Sequence, residues 1–154
     1  MPVLRIHTVR QVRRREEKQR QERRIRMIPF AKLRAGHLRL GRRGEKIASS
    51  FLKNNWYDIL LRNYKVASGE VDLIARDGSM ICFVEVKTRH SAFRGRPAEG
   101  LSERQRKRIR HAAMNYLREI GNPEVAYRFD LIEVMLSRWD VTELRHWKNR
   151  FGKN

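Results

Sequence analysis

Residues 69–89 read GEVDLIARDGSMICFVEVKTR, and this stretch decides the fold. Two runs rich in β-branched and apolar residues, 70–76 and 80–89, flank the dipeptide Asp77-Gly78. An Asp-Gly pair between two such runs strongly favours a tight turn between antiparallel strands. The stretch is therefore predicted to be a β-hairpin with Asp77-Gly78 as its two-residue loop.

The turn determines which side chains share a face of this hairpin, because side chains alternate along a strand. A two-residue loop places Asp72 opposite Phe83 and, further along, Glu70 opposite Glu85. Asp72 is then the diagonal neighbour of Glu85 on one face, about 7–8 Å away between backbones. A one-residue bulge would break this arrangement. Carboxylates crowded in this way repel one another, and a hard divalent cation, Mg²⁺ or Mn²⁺, would offset the repulsion.

Two further side chains complete a candidate catalytic set of Glu45, Asp72, Glu85 and Lys87. Lys87 lies about 6.5–7 Å beyond Glu85 along the strand, where an ammonium group can orient a water and offset developing negative charge. Glu45 shares a helix face with Ala48 and Leu52, so it can complete a metal shell directly or through water. Taken singly, Glu45 also fits a favourable interaction with the helix dipole. The four residues in this order, on a helix followed by a hairpin, are a far more specific signal of a catalytic site.

The rest of the chain predicts an α/β domain in the order α-β-β-β-α-β, with a mixed sheet flanked by helices. Gly44–Asn54 is predicted to be a helix and Tyr57–Val66 a strand. A capping box at Ser102–Gln105 predicts the start of the second helix. A strand is predicted at Val125–Met135, and a further short strand at Val141–Leu144 is left open.

Positive charge is concentrated at the N-terminus. The 154-residue chain has a formal net charge of +19, which indicates a polyanionic partner such as nucleic acid. Residues 1–43 carry 15 Lys and Arg against three Asp and Glu. Residues 1–39 lack an apolar stripe and are predicted to form a basic arm, disordered or a lone helix, ahead of a domain at 40–154. An arm that orders on nucleic acid and a plain solvated charge run both fit this pattern.

Basic side chains near the hairpin and on the second helix are predicted to contact phosphates. They are Arg89, Arg94, Arg96, Arg104, Lys107 and Arg108. The tryptophans Trp56, Trp139 and Trp147 are interpreted as packing residues rather than base-stacking platforms.

Cysteine content and hydropathy indicate the compartment. The single cysteine, Cys82, excludes an intramolecular disulfide and fits a reducing environment. No apolar stretch is long enough to span a bilayer, and the N-terminus lacks the apolar region of a secretory signal. A cytoplasmic protein without a membrane partner is expected.

The motifs together resemble the PD-(D/E)xK nuclease superfamily, which includes restriction endonucleases and archaeal Holliday-junction resolvases, and more closely the YraN-like family of bacterial proteins. The matching pieces cover roughly residues 40–151: Gly44-Glu45, Arg62-Asn63-Tyr64, Gly69–Ile74, Phe83–Arg89 and Arg128-Phe129-Asp130. The resemblance implies a restriction-endonuclease-like core in which Asp72 and Glu85 bind the metal. It also implies that Lys87 assists the water and that Glu45 supports the site from the helix.

The chain departs from the family pattern at Gln105, where lysine is usual, and at Arg150, where alanine is usual; both departures concern substrate contacts. The leading hypothesis is a metal-dependent endonuclease that hydrolyses phosphodiester bonds in nucleic acid, with DNA favoured and a branched form among the candidates. The alternative is a non-catalytic nucleic-acid-binding module that retains the nuclease fold. A basic RNA- or ribosome-associated protein is a third hypothesis, which rests on the tail alone. The sequence leaves a homodimer open.

The basic arm yields the first prediction. Deleting residues 1–38 should leave the fold intact, because the segment has no apolar face to contribute. Nucleic-acid binding should weaken, and its dependence on salt should flatten, because fewer counterions are released from the phosphates. Binding titrations at several salt concentrations and a thermal melt test this prediction, and a large drop in melting temperature would contradict it.

Overall fold

A computed structural model describes residues 30–91 and 101–152, with side chains from residue 36 onward in the first range. The predictions for the arm before residue 30 and for Arg94 and Arg96 lie outside the described residues. The chain divides into two units, Met1–Leu38 and Arg39–Asn154. The second unit contains the sheet. None of the helices described is long and apolar enough to cross a membrane.

The described residues form two helices and five strands. They are α1 (Phe30–Asn54), β1 (Asp58–Val66), β2 (Gly69–Asp77), β3 (Met80–His90), α2 (Glu103–Glu119), β4 (Tyr127–Leu136) and β5 (Val141–Trp147). The strands lie in one sheet in chain order, with β3 and β4 parallel and the other neighbouring pairs antiparallel. The predicted α/β class with a mixed sheet is confirmed, and β5 extends the predicted order by one strand.

Helix α2 makes the crossover that a parallel strand pair requires. It begins at the predicted capping box: Ser102 Oγ accepts a hydrogen bond from the Gln105 backbone N–H at 3.3 Å, and the Ser102 backbone N–H donates to Gln105 Oε1 at 3.1 Å. One face of the helix is buried, with Ile109, Ala112, Ala113, Tyr116 and Leu117.

The sheet is covered by a separate apolar core on each side. Phe83 and Leu131 belong to the core that contains the α2 residues, whereas Val84 and Ile132 belong to the core that contains Ala48 and Leu52 of α1. Strands buried on both faces have near-continuous apolar sequences. This explains the apolar runs of β3 and β4 and makes any charged residue within them conspicuous.

The predicted register of the hairpin is wrong by two residues. Asp77 pairs with Met80 and Ile74 with Phe83, so Asp72 does not lie opposite Phe83, nor Glu70 opposite Glu85. The loop is Gly78-Ser79, because Gly78 has φ +61° and takes the first loop position, as in a type II′ turn. Asp77 instead remains in the strand.

Helix α1 begins at Phe30 rather than at the predicted Gly44, and it ends at Asn54 as predicted. Residues 30–43 contain leucine, alanine, lysine and arginine, which are strong helix formers. The glycines within this stretch cost the helix stability without ending it. The predicted start of the helix at Gly44 is therefore too late.

Gly44 sets how closely α1 approaches β3. A Cβ added at Gly44 would collide with the Thr88 side chain and lie 2.8 Å from the Thr88 Cβ itself. Rotation of the threonine does not relieve that contact, because Cβ does not move with χ1. A Cβ at Gly41, on the same helix, would meet nothing within 4 Å among the described residues.

These two glycines should respond oppositely to the same substitution. Gly44→Ala should destabilise the protein by about 1–3 kcal/mol, because overpacking forces the helix away from the strand. Gly41→Ala should stabilise it by about 0.5–1 kcal/mol through the helix propensity of alanine. Urea unfolding of both variants provides the measurement. Equal effects at the two positions would show that the close approach at Gly44 does not constrain the fold.

Candidate active site

Strand β2 changes course at Asp72. The pairing of β2 with β3 extends from the turn as far as Leu73 and Val84. Opposite Asp72 on β1, Asn63 adopts φ +51°, a left-handed conformation that asparagine tolerates. Val71 and Ile74 are three residues apart yet pack into the same core, which strict alternation forbids. The strand is therefore kinked at the acidic residue of the motif.

The kink brings the Asp72 side chain between the two strands. Asp72 Oδ2 accepts a hydrogen bond of 2.7 Å from the backbone N–H of Val86. Continuing the register by one residue from Leu73 and Val84 places Asp72 opposite Glu85. The carboxyl groups of Asp72 and Glu85 lie close enough together that each shifts the pKa of the other.

The electrostatics of this pair are unfavourable to two negative charges. Burial raises the pKa of Asp72 to about 8, and the charges of Glu85 and Glu45 add to the effect against the opposing Val86 N–H. Burial also raises the pKa of Glu85, although the ammonium of Lys87 counteracts it. Lys87 Nζ lies 3.3 Å from Glu85 Oε1. The site therefore has an excess of carboxylates over cations.

The structure brings together all four residues of the predicted catalytic set, although to different degrees. Glu85 contacts Lys87 and also lies beside Asp72. Glu45 on α1 acts on Asp72 through its charge. Across the described ranges, no three His, Cys, Asp or Glu side chains converge closely enough to hold a metal ion. Among the described residues, the site therefore provides a pair of carboxylates rather than a complete set of metal ligands. The roles of the four residues stay predictions.

Glu133 is a buried charged residue outside the set predicted from the sequence. It is 1% exposed and lies beside Lys87 in the parallel pairing of β3 with β4. Glu133 Oε1 is 3.3 Å from Nε of Arg89, one of the predicted phosphate-binding residues. A glutamate between Ile132 and Val134 in an apolar strand was the available signal, because such a charge is rarely buried unless paired.

The predicted basic face of α2 adjoins the acidic pair. Arg104, Lys107 and Arg108 are exposed on the helix. Arg108 Nη2 lies 3.9 Å from Glu70 Oε1, and the charge of Glu70 contributes to the raised pKa of Glu85. The helix therefore presents cations next to the carboxylates without neutralising them.

A second buried acid, Asp130, is fully satisfied. It accepts hydrogen bonds from Arg128 Nε at 3.0 Å and from the Asn149 backbone N–H at 2.8 Å, and His146 Nε2 lies 2.9 Å away. Burial alone would raise the pKa of Asp130, but the contacts with His146, Asn149 and Arg128 together lower it. Arg128 also binds Asp77 at 2.9 Å. This cluster ties β4 to the hairpin and to β5.

The fold and the acidic pair define an α/β protein with clustered carboxylates where two strands diverge. Residues 44–134 match Uncharacterised protein family UPF0102, and the chain belongs to this family, as the YraN-like resemblance predicted. A UPF0102 protein of Chlorobaculum parvum is 43% identical over 109 residues, which is 71% of this chain and 84% of the relative. One of Rhodococcus jostii is 37% identical over 117 residues, 76% of this chain and 99% of the relative.

The strained acidic pair makes a prediction about stability. Asp72→Asn should stabilise the metal-free protein at pH 7, because an amide keeps an acceptor for the Val86 N–H and avoids the cost of protonating Asp72 on folding, which its raised pKa implies. A gain of about 1 kcal/mol or more is expected, which is roughly 4 °C in melting temperature for a domain of this size.

Glu143→Gln is the matched control. Its side chain is half-exposed and paired with Arg145 on β5, so the change should stay within about 0.5 kcal/mol. Thermal melts in the presence of a chelator compare the two variants. A lower melting temperature for Asp72→Asn would mean that Asp72 is an ordinary stabilising carboxylate.

Proposed function

We propose that this protein is a metal-dependent endonuclease that hydrolyses phosphodiester bonds in nucleic acid, with DNA as the favoured substrate. The observation that carries the proposal is the close approach of the Asp72 and Glu85 carboxyl groups beside the Lys87 ammonium. Burying two acids against each other is costly, and clusters of titratable groups with strongly perturbed pKa values are typical of functional sites. A restriction-endonuclease-like core is the architecture that we infer around them.

The donor set fits Mg²⁺ or Mn²⁺. Asp72 and Glu85 supply hard oxygen ligands, and Mg²⁺ is usually bound by one or two carboxylates while the remaining positions go to water and substrate phosphate. A pair without a third converging ligand suits that mode. Glu45 would support the ion through water. When bound, the ion would supply the positive charge that activates water and stabilises the phosphate undergoing attack.

We assign Lys87 a role on the substrate rather than in the fold. Its ammonium is held by Glu85 at 3.3 Å, and the side chain remains partly exposed. From that position it can donate a hydrogen bond to a phosphate oxygen or to the attacking water, and its charge offsets the negative charge that develops during hydrolysis. Glu85 thus orients Lys87 in addition to providing a ligand.

The surroundings suit a polyanionic substrate. Arg104, Lys107 and Arg108 form an exposed basic face on α2 beside the acidic pair, and such side chains position a phosphate backbone without reading its sequence. The net charge of +19 favours association with any nucleic acid. We place the protein in the cytoplasm, where the buried Cys82 thiol, whose pKa burial raises to about 12, would stay reduced.

The proposal predicts that Glu85→Ala and Lys87→Ala both lower activity but shift nucleic-acid binding in opposite directions. Glu85→Ala should lower cleavage on the order of 100-fold or more, because a metal ligand is lost. Its binding measured without metal should hold or tighten, because repulsion against phosphate is relieved. Lys87→Ala should lower cleavage by a comparable factor but weaken binding slightly. The measurements are a cleavage panel of plasmid, single-stranded and branched DNA and RNA with Mg²⁺, Mn²⁺ or chelator, and binding in chelator.

Glu143→Ala is the matched control, since Glu143 lies on β5 and pairs with Arg145 away from the acidic pair. It should leave cleavage unchanged. If the wild-type protein binds nucleic acid but cleaves no member of the panel with either metal, the endonuclease proposal fails and the binding-module alternative replaces it.

A further inference from the structure

Trp139 is a large aromatic side chain that the fold leaves in solvent. It is 80% exposed in the loop between β4 and β5, and Trp56, after α1, is 93% exposed. The interpretation of these two tryptophans as packing residues is therefore wrong, whereas Trp147 does pack against the core. An exposed indole contributes little to folding, but its large flat apolar surface is available for contact with a partner.

The loop that presents Trp139 is held in place by hydrogen bonds. Ser137 Oγ accepts from the backbone N–H groups of Trp139 at 3.3 Å and Asp140 at 2.9 Å. The Ser137 backbone N–H donates to the Asp140 carbonyl at 2.8 Å. From α1, Arg43 Nη2 donates to the Trp139 carbonyl at 3.0 Å. The indole is thus exposed on a preorganised support.

This loop lies at the same end of the sheet as the acidic pair. Strands β3 and β4 are parallel, and their pairing ends with His90 beside Leu136, immediately before the loop. Lys87, at the candidate active site, pairs with Glu133 of β4. Glu133 precedes Leu136 by three residues, which is about 10 Å along the strand. Arg43, which holds the loop, precedes Glu45 by two residues. Trp56, in contrast, follows the C-terminal end of α1, more than two helical turns beyond Glu45.

The chemistry around Trp139 combines an aromatic ring with cations. The Arg138 guanidinium lies over the indole at 4.9 Å from its centre, and Arg43 adds a second positive charge at the loop. An aromatic face beside arginine is the combination that binds single-stranded nucleic acid, in which bases stack on the ring while cations contact the backbone. A second copy of this chain is a poor occupant, because two molecules with a net charge of +19 repel each other.

We propose that Trp139 is a stacking platform for an unpaired base of single-stranded nucleic acid, and that Arg138 contacts the adjoining phosphate. The inference rests on the proposed function, since it defines the substrate of that site as a strand with unpaired bases at or near the point of cleavage. A duplex has its bases already stacked and would use this platform little.

The test compares Trp139→Ala with Trp56→Ala, in the full chain and with chelator present. The probes are oligo-dT and oligo-rU of about 12 nucleotides and a DNA duplex of the same length. Trp139→Ala should weaken single-strand binding by about 5- to 150-fold and change duplex binding by less than about 2-fold. Trp56→Ala should leave both unchanged. The oligo-dT and oligo-rU arms show whether the platform accepts both sugars.

Salt dependence separates stacking from charge. Trp139→Ala should keep the slope of binding against salt, whereas Arg138→Gln should lower its magnitude by about 0.7 for a single strand. Equal losses from the two tryptophan variants, an equal loss on duplex, or unaltered single-strand binding would overturn the inference. So would a change of oligomeric state in Trp139→Ala, which would assign the indole to a protein contact. Every binding arm contains chelator, so the result does not depend on cleavage. Absence of cleavage in the separate panel with Mg²⁺ or Mn²⁺ would defeat the endonuclease proposal without affecting this result.

Discussion

The hydrogen bond from the Val86 backbone N–H to the Asp72 carboxylate is the interaction on which the rest of the site depends. In an ordinary antiparallel pair that N–H would bind a carbonyl of the neighbouring strand. Because a side chain takes that place, the pairing of β2 with β3 stops at Leu73, and the carboxyl group is drawn between the strands against Glu85. Because the Asp72 side chain takes the place of a backbone acceptor, the hydrogen bonding between β2 and β3 ends here and the two carboxyl groups come together.

The sequence predicted this pair correctly even though it predicted the register wrongly, and the reason lies in the period of a strand. The turn is displaced by one residue, which shifts the pairing by two positions, so Asp72 and Glu85 stay on the same side of the hairpin even though the kink at Asp72 breaks the alternation along β2. A shift by one position would have moved Asp72 to the opposite face from Glu85. The face assignment was therefore robust, while the identity of the opposing residue was not, because Asp-Gly and Gly-Ser are both acceptable two-residue loops.

Other features depend on contacts that no local pattern encodes. The capping box at Ser102 was predictable, because both its partners lie within one turn. The kink of β2 at Asp72 was not predictable, since it depends on the hydrogen bond that Asp72 accepts from Val86 on the neighbouring strand. The pairing of Glu133 with Arg89 requires knowing that β3 and β4 are parallel neighbours. Exposure of Trp139 likewise follows from a loop whose own hydrogen bonds hold the indole outside the core.

Two aspartates, Asp130 buried and Asp72 partly buried, show how the same residue type meets opposite electrostatic surroundings in one fold. Asp130 is surrounded by Arg128, His146 and a backbone N–H, and its pKa is lowered, so its charge is stabilised by the fold. Asp72 receives one backbone N–H and faces carboxylates, and its pKa is raised. A fold under selection for stability alone would gain by replacing Asp72 with a neutral residue. Its retention beside Glu85 is understandable if a bound cation supplies the missing positive charge, as arginine does for Asp130.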